Sequence, residues 1–239
     1  MKDVERHIER LVTALDGAWP GGYVAVLFGS AARGEYIPGW SDINVLLISP
    51  ELTLEALRVV REPLRRWREA AEALPLLFSA TEWSRSADAY PLEIAEMRTS
   101  YRTLRGKDPL AGSEVHPADL RAALEREFRG KLMRLRQGYA LYGEAPAELT
   151  EFLRHSASSV LLLCRGLLIL QGREVPATAH GVIAAGADLA GFDRQAIERV
   201  ADRRADGAWR CGEEDVRGYL AAVERAASFV DHIQTGVRT

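Results

Sequence analysis

The chain has 239 residues, of which 47% are hydrophobic and 27% charged, and its formal net charge is -3. That length can bury a real core in one large or two small domains, and the charge balance excludes a chain-wide polyanion binder. Its two cysteines, Cys164 and Cys211, lie far apart without metal-binding spacing, and read as reduced, buried thiols of a cytosolic protein.

In chain order, residues 3–16 carry Val4, Ile8, Leu11, Val12 and Leu15 at helical spacing, and Pro20-Gly21-Gly22 ends that helix. Residues 23–28 (YVAVLF) are rich in β-formers and read as a buried strand. Gly29-Ser30 and a short helical segment follow, and Pro38-Gly39 breaks the chain again. Residues 42–48 (DINVLLI) read as a second strand. Residues 52–71 form an amphipathic helix that Pro63 can kink. Residues 74–80 (LPLLFSA) and 91–97 (PLEIAEM) are two further strand candidates. Residues 1–112 therefore predict a small α/β (α+β) domain with a mixed sheet.

Past Gly106-Lys107-Asp108-Pro109 the strand patterns stop. Residues 113–239 predict an all-helical bundle domain, with helices over 117–142, 146–171, 177–189, 193–205 and 213–234. The helix over 146–171 is apolar on nearly every face between Val160 and Leu170, which suits the bundle centre. That run is interrupted by Arg165 and is shorter than the ~20 residues a membrane span needs. No N-terminal run reads as a signal peptide, so the expectation is a cytoplasmic protein without a membrane partner.

The chemistry concentrates in residues 28–48. A strand ends in Gly29-Ser30, where glycine allows a ligand to approach the backbone closely and a helix N-terminus offers amides to an anion. Ser41-Asp42-Ile43-Asn44 then opens the second strand. Alternation points Asp42 and Asn44 one way and Ile43 the other. Two oxygen ligands so placed can hold Mg²⁺ against a phosphate. Glu93 or Glu96, in the strand expected over 91–97, can supply a third acid. Leu92 and Ile94 flank Glu93 as core-facing residues, which turns Glu93 toward the cleft, while a spacing of three puts Glu96 on the other face.

This order of Gly-Ser, spacer and Asp-x-(acid)-hydrophobic resembles the signature of the DNA polymerase β-like nucleotidyltransferase superfamily, over residues 23–98. The helical half resembles the substrate-binding bundles of aminoglycoside nucleotidyltransferases and minimal nucleotidyltransferases. The resemblance implies that Gly29 and Ser30 bind a triphosphate and that Asp42, Asn44 and Glu93 hold Mg²⁺, with Glu93 as base toward the attacking hydroxyl. Arg33 and Ser41 join the nucleotide-binding set, and Lys131 or Arg134 closes over the phosphates. Trp40 is a candidate for stacking on the base. The departure is Asn44, where the family has Asp or Glu. A neutral amide holds a second metal more weakly than a carboxylate does.

The implied function is Mg²⁺-dependent transfer of NMP from an NTP, with ATP the expected donor. The acceptor is a hydroxyl of a small molecule or protein, bound between the domains. The rival is a relative impaired in catalysis, acting as nucleotide sensor, partner-binding or antitoxin-like module, and Asn44 favours it. Nucleic acid fits less well, because no aromatics interleave with the basic residues of 117–142. An Arg173…His180 pair is similar to that of HEPN-type ribonucleases, but Pro176 interrupts its helix.

Overall fold

The computed structural model describes residues 2–19, 21–38, 41–69, 73–203 and 206–234. Pro20, Gly39, Trp40 and the last residues of the helices expected over 52–71 and 193–205 fall outside these. The chain divides into two compact units, Met1–Val115 and His116–Thr239. The first is a mixed α/β region and the second is all-helical.

The first unit runs α1 (Lys2–Ala18), β1 (Val24–Phe28), α2 (Ser30–Arg33), β2 (Asn44–Ser49), α3 (Leu54–Glu69), β3 (Leu76–Ser79), α4 (Ala80–Trp83), α5 (Pro91–Thr99) and β4 (Tyr101–Arg105). The sheet order is β3-β2-β1-β4. β1 is antiparallel to β2 and β4, whereas β3 returns parallel to β2 after the α3 crossover.

Period-two alternation gives the sheet two apolar faces. Ala25, Leu27, Val45 and Leu47 pack with Leu11 and Leu15 of α1 and Val60 and Trp67 of α3. Val26, Leu46 and Ile48 pack on the other side with Ile94 and Met97 of α5. Because both faces are covered, β2 is a near-continuous buried run, as its sequence VLLIS requires.

One predicted strand is a helix. Residues 91–97 lie in α5, with Pro91 in the first turn and Glu93 beside it. The alternation of Leu92, Glu93 and Ile94 imitates a strand, but the helix is buried on several sides: Leu92, Ile94, Ala95, Glu96 and Met97 are all covered. The fourth strand is instead β4, which pairs Tyr101 with Phe28 and Thr103 with Val26. Arg102 and Arg105 mask it in the sequence, and each reaches a carboxylate of α1: Arg102 meets Glu5 at 2.8 Å and Arg105 meets Asp16 at 3.0 Å.

The second unit comprises α6 (Pro117–Tyr142), α7 (Pro146–Leu170), α8 (Ala179–Ala190), α9 (Arg194–Asp202) and α10 (Glu213–His232). Counting only Val160–Leu170 understated α7: its 25 residues make it the one described helix long and apolar enough to cross a membrane. In this fold 61% of its apolar window is buried, as in the core helix of a bundle. Much of the basic face of α6 is spent on α10: Arg121 donates to the Ile233 carbonyl, Arg129 pairs with Asp231 and Arg136 with Glu224.

Candidate functional site

The turn leaving β1 and the start of β2 are neighbours because Phe28 pairs with Asn44 across the antiparallel ladder. Gly29 has φ 75° and ψ -150°, a conformation that side-chain-bearing residues rarely adopt. A Cβ at Gly29 would lie 3.0 Å from Nδ2 of Asn44. The glycine is therefore required twice, by the bend and by the close approach of Asn44. Ser30 follows, half-buried, and its hydroxyl makes no hydrogen bond among the described residues. α2 has only four residues, so it supplies the free amides of one turn and little helix dipole.

Asp42 is exposed, Ile43 buried and Asn44 half-buried. Burial alternates over these three residues, but β2 begins at Asn44, so Asp42 sits on the loop ahead of it rather than on the strand. Asn44 shares its sheet face with Leu46 and Ile48, the face that α5 covers. Ser41 closes the preceding turn: its hydroxyl accepts from the Ile37 amide at 3.1 Å, and its amide donates to the Ile37 carbonyl at 2.8 Å.

The two glutamates of α5 differ from the strand-based expectation. Glu93 is exposed in the first turn, on a helix rather than on a strand beside β2. Glu96 is 6% exposed and is the one buried acid among the described residues. Its Oε1 lies 2.6 Å from Nη1 of Arg33. Arg33 also donates through Nε to Glu35 at 3.0 Å. The arginine expected at a phosphate thus ties α2 to α5 and is shared between two carboxylates. A helical reading of 91–97 was the signal that could have found this pair, since Pro91 in a first turn is a helix cue.

Lys131 lies on α6, in the other unit. Burial, with the nearby Arg134, holds its ammonium below the usual lysine range. Of the Arg173…His180 pair, Arg173 is in the α7–α8 connection, and His180 Nε2 meets Asp202 at 2.9 Å.

The donors fit magnesium in part. Mg²⁺ prefers six oxygen ligands and commonly takes one or two carboxylates plus substrate phosphates. Asp42 and Asn44 can meet that for one ion carried in by a nucleotide. A pair of ions needs bridging carboxylates, and β1, β2, β3 and β4 carry no Asp or Glu. The described residues hold no group of three or more His, Cys, Asp or Glu suited to a metal ion.

With its Gly-Ser turn beside an oxygen-bearing second strand on a four-stranded mixed sheet, the first unit resembles a nucleotidyltransferase domain. Residues 8–79 match the family model described as the nucleotidyltransferase domain. That stretch includes Gly29, Ser30, Asp42 and Asn44 and stops before α5. Among solved structures, the chain is similar to the crystal structure of spectinomycin adenyltransferase AAD(9) from Enterococcus faecialis with ATP and spectinomycin. The TM-score is 0.57 at 12% identity, covering 95% of this chain and 99% of that one. At that identity the likeness is one of fold. No curated protein matches the sequence.

Proposed function

We propose that the N-terminal unit binds a magnesium–nucleoside triphosphate, with ATP the expected nucleotide, and that the chain is a nucleotide-binding relative in which NMP transfer is impaired. The observation that carries this reading is the count of carboxylates at the turn. Position 44 is a neutral amide, and the buried Glu96 is neutralised by Arg33 at 2.6 Å. Asp42 is left as the single carboxylate of the Asp42-x-Asn44 pair. Gly29 and Ser30 receive the β and γ phosphates through backbone amides and the free hydroxyl. A magnesium ion held by Asp42 and Asn44 would supply charge to those phosphates. Arg33, held by Glu96 and Glu35, positions α2 and with it the turn.

Isothermal titration of the wild-type protein with Mg-ATP, beside a transfer assay with all four NTPs and a panel of hydroxyl-bearing small molecules and proteins, tests the reading. Binding without pyrophosphate release is expected. An absence of nucleotide binding would overturn it.

A second reading, transfer of NMP to a small-molecule hydroxyl in the cytoplasm, draws on the exposed Glu93 and on a fold likeness that spans 95% of the chain. In that case Glu93 acts as base, and pyrophosphate release with one acceptor of the panel would favour it.

A further inference from the structure

The two edges of the sheet are finished differently. β4 carries Arg102 and Arg105, each held by a carboxylate of α1. Charge of that kind discourages another strand from pairing. β3, the opposite edge, reads Leu-Leu-Phe-Ser with no charge and, among the described residues, pairs only with β2. A groove of about 550 Å³ lies between α3 and Leu74, two residues ahead of β3. Leu54, Leu57 and Leu74 line it together with Arg58, Arg61 and Arg68, and no acidic residue does among the described residues. Leu54 is 69% exposed, Leu74 53% and, in the edge strand itself, Leu76 39%. Exposed apolar surface of this kind, rimmed by charge, marks an interaction site.

We propose that this groove and the β3 edge form a docking site for an extended, acidic segment of a partner protein, which adds a strand to the sheet. The edge offers unpaired backbone groups, which a strand can use and a helix cannot. The leucines take the apolar side chains of alternate positions, and the arginines choose acidic ones for the rest. Arg65, also on the rim, is already satisfied by Glu62 at 2.8 Å and Glu69 at 2.5 Å. Arg61 and Arg68 make no ion pair among the described residues and are the cations left for a partner. A second copy of the chain presenting the same face would set arginine against arginine, so the charge favours a different protein. The groove lies on the α3 side of the sheet, whereas Asn44 faces α5.

The test uses the full chain and a panel of fluorescein-labelled ten-residue peptides that alternate Glu or Asp with Val, Ile or Phe. Fluorescence polarisation should show binding by members of the panel and none by Lys-Val alternation. Hydrogen exchange should slow at the outward-facing amides within Leu76–Phe78, the Ser79 amide already donating to Glu82. Arg61→Glu/Arg68→Glu should weaken binding about tenfold or more with thermal unfolding unchanged, since both side chains are exposed. Peptides methylated at alternate backbone nitrogens should fail. The proposal is overturned if no panel member binds, if methylated peptides bind equally, or if the double variant binds as wild type does. It is equally overturned if sedimentation shows self-association that the double variant abolishes, or if only anionic lipid vesicles bind.

Discussion

Arg33 and Glu96 stand 63 residues apart in sequence and 2.6 Å apart in space, with side chains only 13% and 8% exposed. Their ion pair joins the one-turn helix after Gly29 to the helix over the sheet face that Asn44 shares. It engages Oε1 of Glu96 and Nη1 of Arg33, while Nε of Arg33 is engaged by Glu35.

Removing one partner of a buried pair leaves the other charge uncompensated, at a cost of about 3 kcal/mol. Arg33→Met should lose that much in urea denaturation. Arg33→Met/Glu96→Met should recover most of it, because neither charge is then buried. Equal stability of Arg33→Met and wild type would show that the pair contributes nothing to the fold.

Gly29→Ala places a methyl 3.0 Å from Nδ2 of Asn44 at a φ of 75°. Strain of this kind costs about 1–3 kcal/mol. The variant should unfold at lower urea and bind Mg-ATP more weakly in calorimetry. Gly29→Ala/Asn44→Ala should regain only part of the stability, since it relieves the contact and not the backbone.

Asn44→Asp restores a second carboxylate beside Asp42. A charge close to a divalent ion is worth several-fold in affinity even with solvent screening, and about tenfold is expected for Mg²⁺-dependent nucleotide binding. Asp42→Asn should remove the Mg²⁺ dependence. Calorimetry with Mg-ATP against ATP in EDTA reads both. If Asn44→Asp leaves the metal dependence unchanged, the pair is not the metal site.

In the helical unit, a Cβ at Gly138 would fall 2.2 Å from Cε1 of Phe152, where α6 crosses α7. Gly138→Ala should destabilise by about 1–3 kcal/mol through overpacking. Phe152→Leu in the same chain should restore much of the loss, as read by thermal unfolding.

Burial pushes the Cys164 thiol from its ordinary 9.0 up to about 12, with Arg165 opposing the shift. The native fold favours the neutral thiol, so its contribution is complete below pH 9.0 and is lost as pH rises toward 12. At pH 8 Ellman's reagent should find no thiol in the native protein, since Cys211 is buried as well, and two in guanidinium. Rapid labelling of the native protein would contradict the burial.

The sequence was most legible where one pattern meant one structure. Val4, Ile8, Leu11 and Leu15 could only be one face of a helix, and all four are buried. In the second half, α6 and α7 announced themselves through prolines in their first turns, and no strand pattern competed over α8, α9 and α10. The segment 91–97 failed because Leu92, Glu93 and Ile94 fit a strand as well as a helix when both sides of the element are covered. β4 failed for the opposite reason: Arg102 and Arg105 are surface residues that interrupt the apolar pattern, and their partners Glu5 and Asp16 lie far away in sequence on α1. The Gly29-Ser30 turn was legible because glycine there is a local requirement. The fate of Arg33 and Glu96 was not, because an ion pair across 63 residues leaves no local trace.

By itself, the sequence determined two units of different class, the glycine turn, and the substitution of Asn44 for an acid, since each depends on backbone conformation or on side-chain identity alone. Only the tertiary structure decided which acid is exposed, which is neutralised, and which sheet edge is left open. Those outcomes depend on which distant groups share a low-dielectric interior, where a charge must find a partner or stay in water.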